Sequence, residues 1–268
     1  MAKPLLTDEL WAQIEPLLPP AKPRRFRYPG RKPLDNRQAL TGILFVLKSG
    51  IAWELLPQEM GCGSGMTCWR RLRDWQQAGV WQRLHESFLS QLDAQGELDW
   101  SRAAVDSSFA RAWGGGEETG PNPTDRSKLG SKHHLLVEAH GIPLVAELSA
   151  ANVPDQNRLI PLLAGLPDLS GTGQTHLPTE IYADRAYDSE PHRQLLRWLG
   201  LKPLLAKRRT AHGSGLGVYR WVVERTIAWL HSFGRLRFRR DRRADIHQAF
   251  LKFACALIAW NFLLASFC

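Results

Sequence analysis

Three carboxylates stand out by what surrounds them. Asp184 follows the apolar run Ile181-Tyr182-Ala183, and Asp106 follows a similar run, Ala103-Ala104-Val105. Glu224 lies within Val218-Tyr-Arg-Trp-Val-Val-Glu-Arg225, which reads as a helix. Two adjacent parallel strands that each end on Asp would bring Asp106 and Asp184 together where ligands collect in α/β sheets. A helix packed across that sheet could lower Glu224 into the same place. Three hard oxygen donors suit Mg²⁺ or Mn²⁺, which keep water and phosphate oxygens as their remaining ligands. Two such ions activate a water or a 3′-hydroxyl on one side of a phosphodiester and stabilise the leaving oxygen on the other. Taken singly, each acid has a plainer use: a turn residue at a strand end, or an ion-pair partner of Arg220 or Arg225. Glu224 is the informative one, because Trp221, Val222, Val223 and Ile227 surround it with apolar surface and an acid there needs a partner. Asp155 and Asp188 read as helix N-caps.

Positioning these groups requires a sheet with helices, and the pattern supplies one. From Leu98 onward, short apolar runs end on Asp106, form a hairpin around His140-Gly141 and return at Ile181–Ala183 and Pro203–Ala206. Helices are predicted from Asp155, over Ser189–Leu199 and over Val218–Phe233, with a Gly-rich polar excursion at Gly114–Gly130. That excursion lacks the Lys-Ser/Thr ending of a phosphate loop. The order β, β-hairpin, α, β, α, β, α is that of a ribonuclease-H-like α/β fold. Upstream, the spacing predicts helices at Thr7–Leu18, Arg37–Lys48, Met66–Gln77 and Val80–Leu92. The third carries Arg70, Arg71 and Arg73 outward and Trp69, Leu72 and Trp75 inward, the arrangement of a helix-turn-helix reader. We therefore expect an all-helical DNA-binding domain over 1–96 and a catalytic domain over 97–268. The apolar segment from Ala249 reads as a buried C-terminal helix, since Lys252 and Asn261 would lie within any membrane span.

The net charge of +9 is clustered. Between Lys202 and Arg243, twelve Lys or Arg face only Glu224 and Asp241, and a second basic group runs from Lys22 to Arg37. A lone charge run is commonly a solvated face; two distant ones point to a nucleic-acid track. The four cysteines, Cys62, Cys68, Cys255 and Cys268, show no two-residue gap of a zinc or redox motif and read as reduced thiols of a cytoplasmic protein.

Four blocks in order, Asp106-Ser-Ser108, Gly120-Pro-Asn-Pro-Thr-Asp-Arg-Ser-Lys-Leu-Gly-Ser-Lys-His-His-Leu-Leu-Val137, Ala183-Asp-Arg-Ala-Tyr-Asp188 and Arg220-Trp-Val-Val-Glu-Arg-Thr-Ile-Ala-Trp-Leu230, resemble bacterial insertion-sequence transposases of the DDE class, in the branch named for insertion sequence five. The resemblance spans nearly the whole chain. It implies an enzyme of the bacterial nucleoid that binds the terminal inverted repeats of its element, cleaves there and joins 3′-hydroxyls to target DNA. Asp106, Asp184 and Glu224 would be the catalytic, metal-binding triad for two Mg²⁺ or Mn²⁺ ions. Arg220 would contact phosphate. Arg70, Arg71, Arg73, Lys132, Arg185, Lys207 and Arg208 are the further expected DNA contacts, and a homodimer acting on two ends of double-stranded DNA is the expected assembly. The chain departs from the family pattern in having Gly217 where a Tyr is usual and His231 where a Lys is usual, which leaves Arg225 or Arg235 as the DNA contact there. The competing readings are a transposase-derived repressor that binds without cutting and a nuclease that cuts without joining.

Overall fold

A computed structural model describes residues 4–20, 26, 27, 30, 32–171, 173–209 and 215–266 of the chain. Much of the Lys22–Arg37 basic group, Gly213 and Cys268 lie outside them. Four helices open the chain: α1 (Asp8–Ile14), α2 (Asn36–Ser49), α3 (Gly65–Gln77) and α4 (Val80–Ala94). The first three start where side-chain oxygens accept otherwise orphaned amides: Thr7 from Leu10, Asp35 from Arg37 and Gln38, and Ser64 from Thr67. At the other end of α2, Gly50 takes the left-handed conformation at φ 73°.

The strands are β1 (Arg102–Ala112), β2 (Gly120–Pro121), β3 (Leu129–Glu138), β4 (Pro143–Ala150), β5 (Glu180–Ala183), β6 (Lys202–Leu205) and β7 (Phe238–Arg239). The main sheet runs β4-β3-β1-β5-β6, with β3 antiparallel to both neighbours and β1, β5 and β6 parallel. This is the ribonuclease-H-like order. The short strand β2 pairs with one end of β3, and β7 continues the sheet beside the end of β1. Around it lie α5 (Leu159–Ala164), α6 (Glu190–Trp198), α7 (Gly217–Ser232), the single turn α8 (Gly234–Arg237) and α9 (Ala244–Ser266).

Two details differ from the sequence reading. The first strand does not stop at Asp106: it pairs with β3 as far as Arg111, because Ala110 and Ala112 keep an inward face buried beyond the carboxylate. Asp155 caps nothing; it is the first residue of a 3₁₀ turn, Asp155–Arg158, that precedes α5.

The helix α9 ties the helical unit to the sheet. It is long and apolar enough to cross a membrane by length and composition, yet 67% of its apolar window is buried inside the protein. Phe250 stacks on Trp53 at 5.7 Å, Phe253 meets Trp81 at 4.5 Å and Trp260 meets Phe88 at 5.1 Å. Such aromatic pairs contribute about 0.5–1.5 kcal/mol each beyond their burial. A second tie is backbone on backbone: a Cβ on Gly50 would stand 2.7 Å from the carbonyl carbon of Gly234, so both positions exclude any side chain.

Candidate active site

Parallel pairing fixes the first two carboxylates. Val105 is in register with Ala183, so Asp106 and Asp184 leave neighbouring strands at the same level. Asp184 then ends its strand, and its Oδ1 accepts the amide of Ala186 at 2.8 Å, turning the chain into the 3₁₀ turn Arg185–Tyr187. Asp106 Oδ1 accepts the amide of Ser107 at 2.7 Å, while its Oδ2 accepts Arg220 from α7 at 3.1 Å. Burial pushes the Asp106 carboxyl up to about 6, with the charges of Asp184 and Glu224 adding to the rise and Ser107 and Arg220 opposing it. Both other acids are thus near enough for their charge to act on Asp106.

Glu224 reaches it from an unexpected direction. Val222, Val223 and Thr226 turn inward on α7, whereas Glu224 is exposed, so the apolar neighbours in sequence do not enclose it. Helical rotation of about 100° per residue separates them onto different faces. Among the described residues, no three His, Cys, Asp or Glu side chains converge closely enough to cage an ion. The donor chemistry nevertheless fits a hard divalent cation: the charges of Asp184 and Glu224 act on Asp106, and among the described residues the one cation paired with Asp106 is Arg220, through a single contact.

Behind the carboxylates lies a layer that sequence reading missed. Asp155 Oδ1 accepts Ser107 Oγ at 2.9 Å and Lys132 Nζ at 3.0 Å, and Lys132 also donates to the Val153 carbonyl. Tyr187 is fully buried beside this group; burial and the charges of Asp155, Asp106 and Asp184 raise its hydroxyl well above the ordinary tyrosine range. Asp188 is likewise no helix N-cap; Ser189 takes that place on α6. Asp188 accepts Arg193 through two bonds, at 3.0 and 2.6 Å, and the amide of Arg208 at 2.7 Å. Asp155 and Asp188 both follow strands and precede helices, so local sequence offers capping; only their long-range partners, 48 and 20 residues away, reveal the other use.

The expected DNA contacts separate into groups. Arg70 is exposed on α3; Arg71 reaches the Leu34 carbonyl, and Arg73 pairs with Asp74 at 2.7 Å while lying over Trp69. Arg185, Lys207 and Arg208 follow Asp184 in space, with Arg208 donating to the carbonyls of Arg185 and Ala186 and to Gln156. Lys132 is committed to Asp155 instead of reaching outward. Arg220 lies on Asp106. Arg225 points away from the carboxylates, stacked between Trp221 at 4.5 Å and Trp229 at 4.6 Å with its guanidinium on the His140 carbonyl. Arg235 is 2% exposed and forms a two-bonded pair with Asp241, which rules it out as a surface contact in this fold. The two are six positions apart, and composition alone could not show that the chain turns back between them.

The family described as "Transposase DDE domain" matches residues 99–259, and the family "Putative transposase of IS4/5 family" matches residues 6–85. The chain is similar to the "Putative transposase for insertion sequence element IS402" of Burkholderia cepacia, at 58% identity over 156 residues, covering 58% of this chain and 74% of that one. It is also similar to the "Insertion element IS402 uncharacterized 16.2 kDa protein" of the same organism, at 67% identity over 123 residues, covering 46% of this chain and 84% of that one. Among solved structures, the catalytic domain of Mos1 mariner transposase aligns at 13% identity and TM-score 0.33, covering 74% of this chain and 92% of that one.

Proposed function

The chain belongs to the DDE transposase family, and from that premise we propose that it binds the terminal inverted repeats of an insertion sequence, cleaves at the ends and transfers the resulting strands into target DNA. The observation that carries this reading is the convergence of Asp106 and Asp184 on adjacent parallel strands with the charge of Glu224 acting on the same carboxyl. Asp106, Asp184 and Glu224 would hold one or two Mg²⁺ or Mn²⁺ ions. Bound there, the ions would supply Lewis-acid stabilisation of the phosphodiester and lower the pKa of an attacking water or hydroxyl.

The protein's own residues do the rest. Ser107 and Arg220 favour the charged form of the Asp106 carboxyl against the burial that raises it. Asp155 braces the strand behind it through Ser107 and Lys132. Arg185, Lys207 and Arg208 offer positive charge beside Asp184 for the DNA backbone, and Arg70 and Arg71 on α3 offer it for the element ends. Two ends must be handled together, which makes a homodimer the expected assembly.

The test is a labelled duplex carrying the terminal repeat, incubated with the protein in Mg²⁺ or in EDTA, with cut and joined strands resolved. Metal-dependent joined products are expected. Binding by folded protein with no cutting would favour a repressor, and cutting without joining a nuclease.

A further inference from the structure

Two large aromatic side chains are left in solvent at the end of the sheet remote from the N-terminal end of β1. Trp113 is 70% exposed just beyond β1, and Phe238 is 43% exposed at the start of β7. With Arg240 they line a cleft of about 390 Å³. The position of these rings is built rather than incidental. Parallel pairing sets Arg111 opposite Phe238 and Ala112 opposite Arg239. Behind them, the buried Arg239 guanidinium donates to Ser131 Oγ and to the carbonyls of Glu118 and Asp241. The turn after Trp113 is pinned as well: the Glu117 amide donates to the Arg242 carbonyl at 2.9 Å, and its carboxylate accepts the Ala244 amide at 3.0 Å. Gly116 lies so close to Arg242 that a Cβ would come within 2.1 Å of its carbonyl oxygen.

The surroundings are strongly basic. The Arg111 guanidinium stacks over the Trp113 ring at 4.2 Å, and Arg237, Arg240 and Arg242 are exposed nearby. None of these four pairs with a carboxylate among the described residues, whereas Arg235 and Arg243 of the same run are paired with Asp241 and Asp245. Arg243 also lies 5.8 Å from the Trp69 ring of α3, so the basic surface continues toward the helix that carries Arg70 and Arg71.

We propose that Trp113 and Phe238 form a stacking platform for unpaired nucleotides of the DNA, with Arg111, Arg237, Arg240 and Arg242 holding the flanking phosphates. Exposed aromatic planes framed by arginines fit the π-face of a base and its anionic backbone together. A duplex cannot use the platform in this way, because its bases already stack on one another and present only edges. The site is separate from the carboxylates and rests on the reading of the chain as a DNA-acting protein.

The experiment measures binding of fluorescein-labelled oligothymidylate, and of a duplex of equal length, in EDTA so that no strand is cut. Trp113→Ala is expected to weaken oligothymidylate binding roughly tenfold, the loss of one stacked base, while leaving duplex binding unchanged; Trp113→Phe should recover most of it. Arg240→Ala should weaken oligothymidylate binding with a shallower salt dependence. Undiminished oligothymidylate binding by Trp113→Ala, or an equal loss on duplex, overturns the proposal. So does a drop in assembly mass by light scattering with single-strand binding retained, which would assign the platform to a second copy of the chain. A wild-type protein that binds neither DNA sinks the functional reading itself, whereas one that cleaves but is indifferent to Trp113→Ala sinks only the platform.

Discussion

Of the aspartate–arginine pairs in this protein, Asp241–Arg235 and Asp106–Arg220 make the sharpest contrast. Asp241 and Arg235 share two bonds, at 2.8 and 3.0 Å, with side chains only 6% and 3% exposed, and the remaining Arg235 nitrogen donates to the Ile51 carbonyl. Every strong group there is satisfied. Asp106 and Arg220 share one bond at 3.1 Å, with side chains 18% and 16% exposed, and the Asp106 carboxyl is also acted on by Asp184 and Glu224. The first pair is neutral within itself, and the Arg235 donor left over reaches the helical unit at the Ile51 carbonyl. In the second, Arg220 bonds one of three acids, and the charges of Asp184 and Glu224 still add to the rise of the Asp106 carboxyl. A sealed, fully bonded pair has little left to offer a ligand, whereas a carboxyl still perturbed by neighbouring acids is a candidate functional group.

Breaking the second pair's surroundings should give the largest effect on activity. Asp184→Ala is expected to lower end cleavage on the order of 10⁴-fold, as for a residue acting within a catalytic unit, with binding to the terminal repeat nearly unchanged in a gel-shift assay. Loss of binding instead would make Asp184 structural. The first pair should answer in stability: Asp241→Ala leaves Arg235 buried and unpaired and should cost about 3–5 kcal/mol in denaturant unfolding. Arg220→Ala, by contrast, should leave unfolding within about 1 kcal/mol, since it frees a partly solvated carboxylate rather than a sealed charge.

A pH series sharpens the contrast further. The Asp106 carboxyl is raised from its usual range to about 6, so the folded protein binds its proton more tightly than the unfolded chain does. Without metal, stability should fall as pH rises from about 4 through about 6. Asp106→Asn should remove that slope, and Mg²⁺ should flatten it by favouring the charged form; a slope shared by Asp106→Asn would show that another group titrates. The smallest effect is expected at α3, where Arg70→Ala and Arg71→Ala should each weaken end binding with a lower salt slope. Unchanged binding in both would remove α3 as the reader.

Much of this was legible in the chain itself. The apolar runs before Asp106 and Asp184, the hairpin at His140-Gly141, the four N-terminal helices and the buried terminal helix depend on local periodicity and on cap and turn chemistry, which act over a few residues. The blocks around Asp106, Asp184 and Glu224 carried the family. Tertiary structure alone decided which charges remain available. Arg235 and Lys132 look like surface cations in the sequence, yet one is buried on Asp241 and the other held by Asp155. The Gly114–Gly130 excursion gave no sign of a fixed turn, yet its start is held against Arg242 and leaves the preceding Trp113 ring in solvent. The physical reason is the same in each case. Local propensity depends on neighbours along the chain, whereas pairing, burial and exposure depend on groups many residues away that only the folded backbone brings into contact.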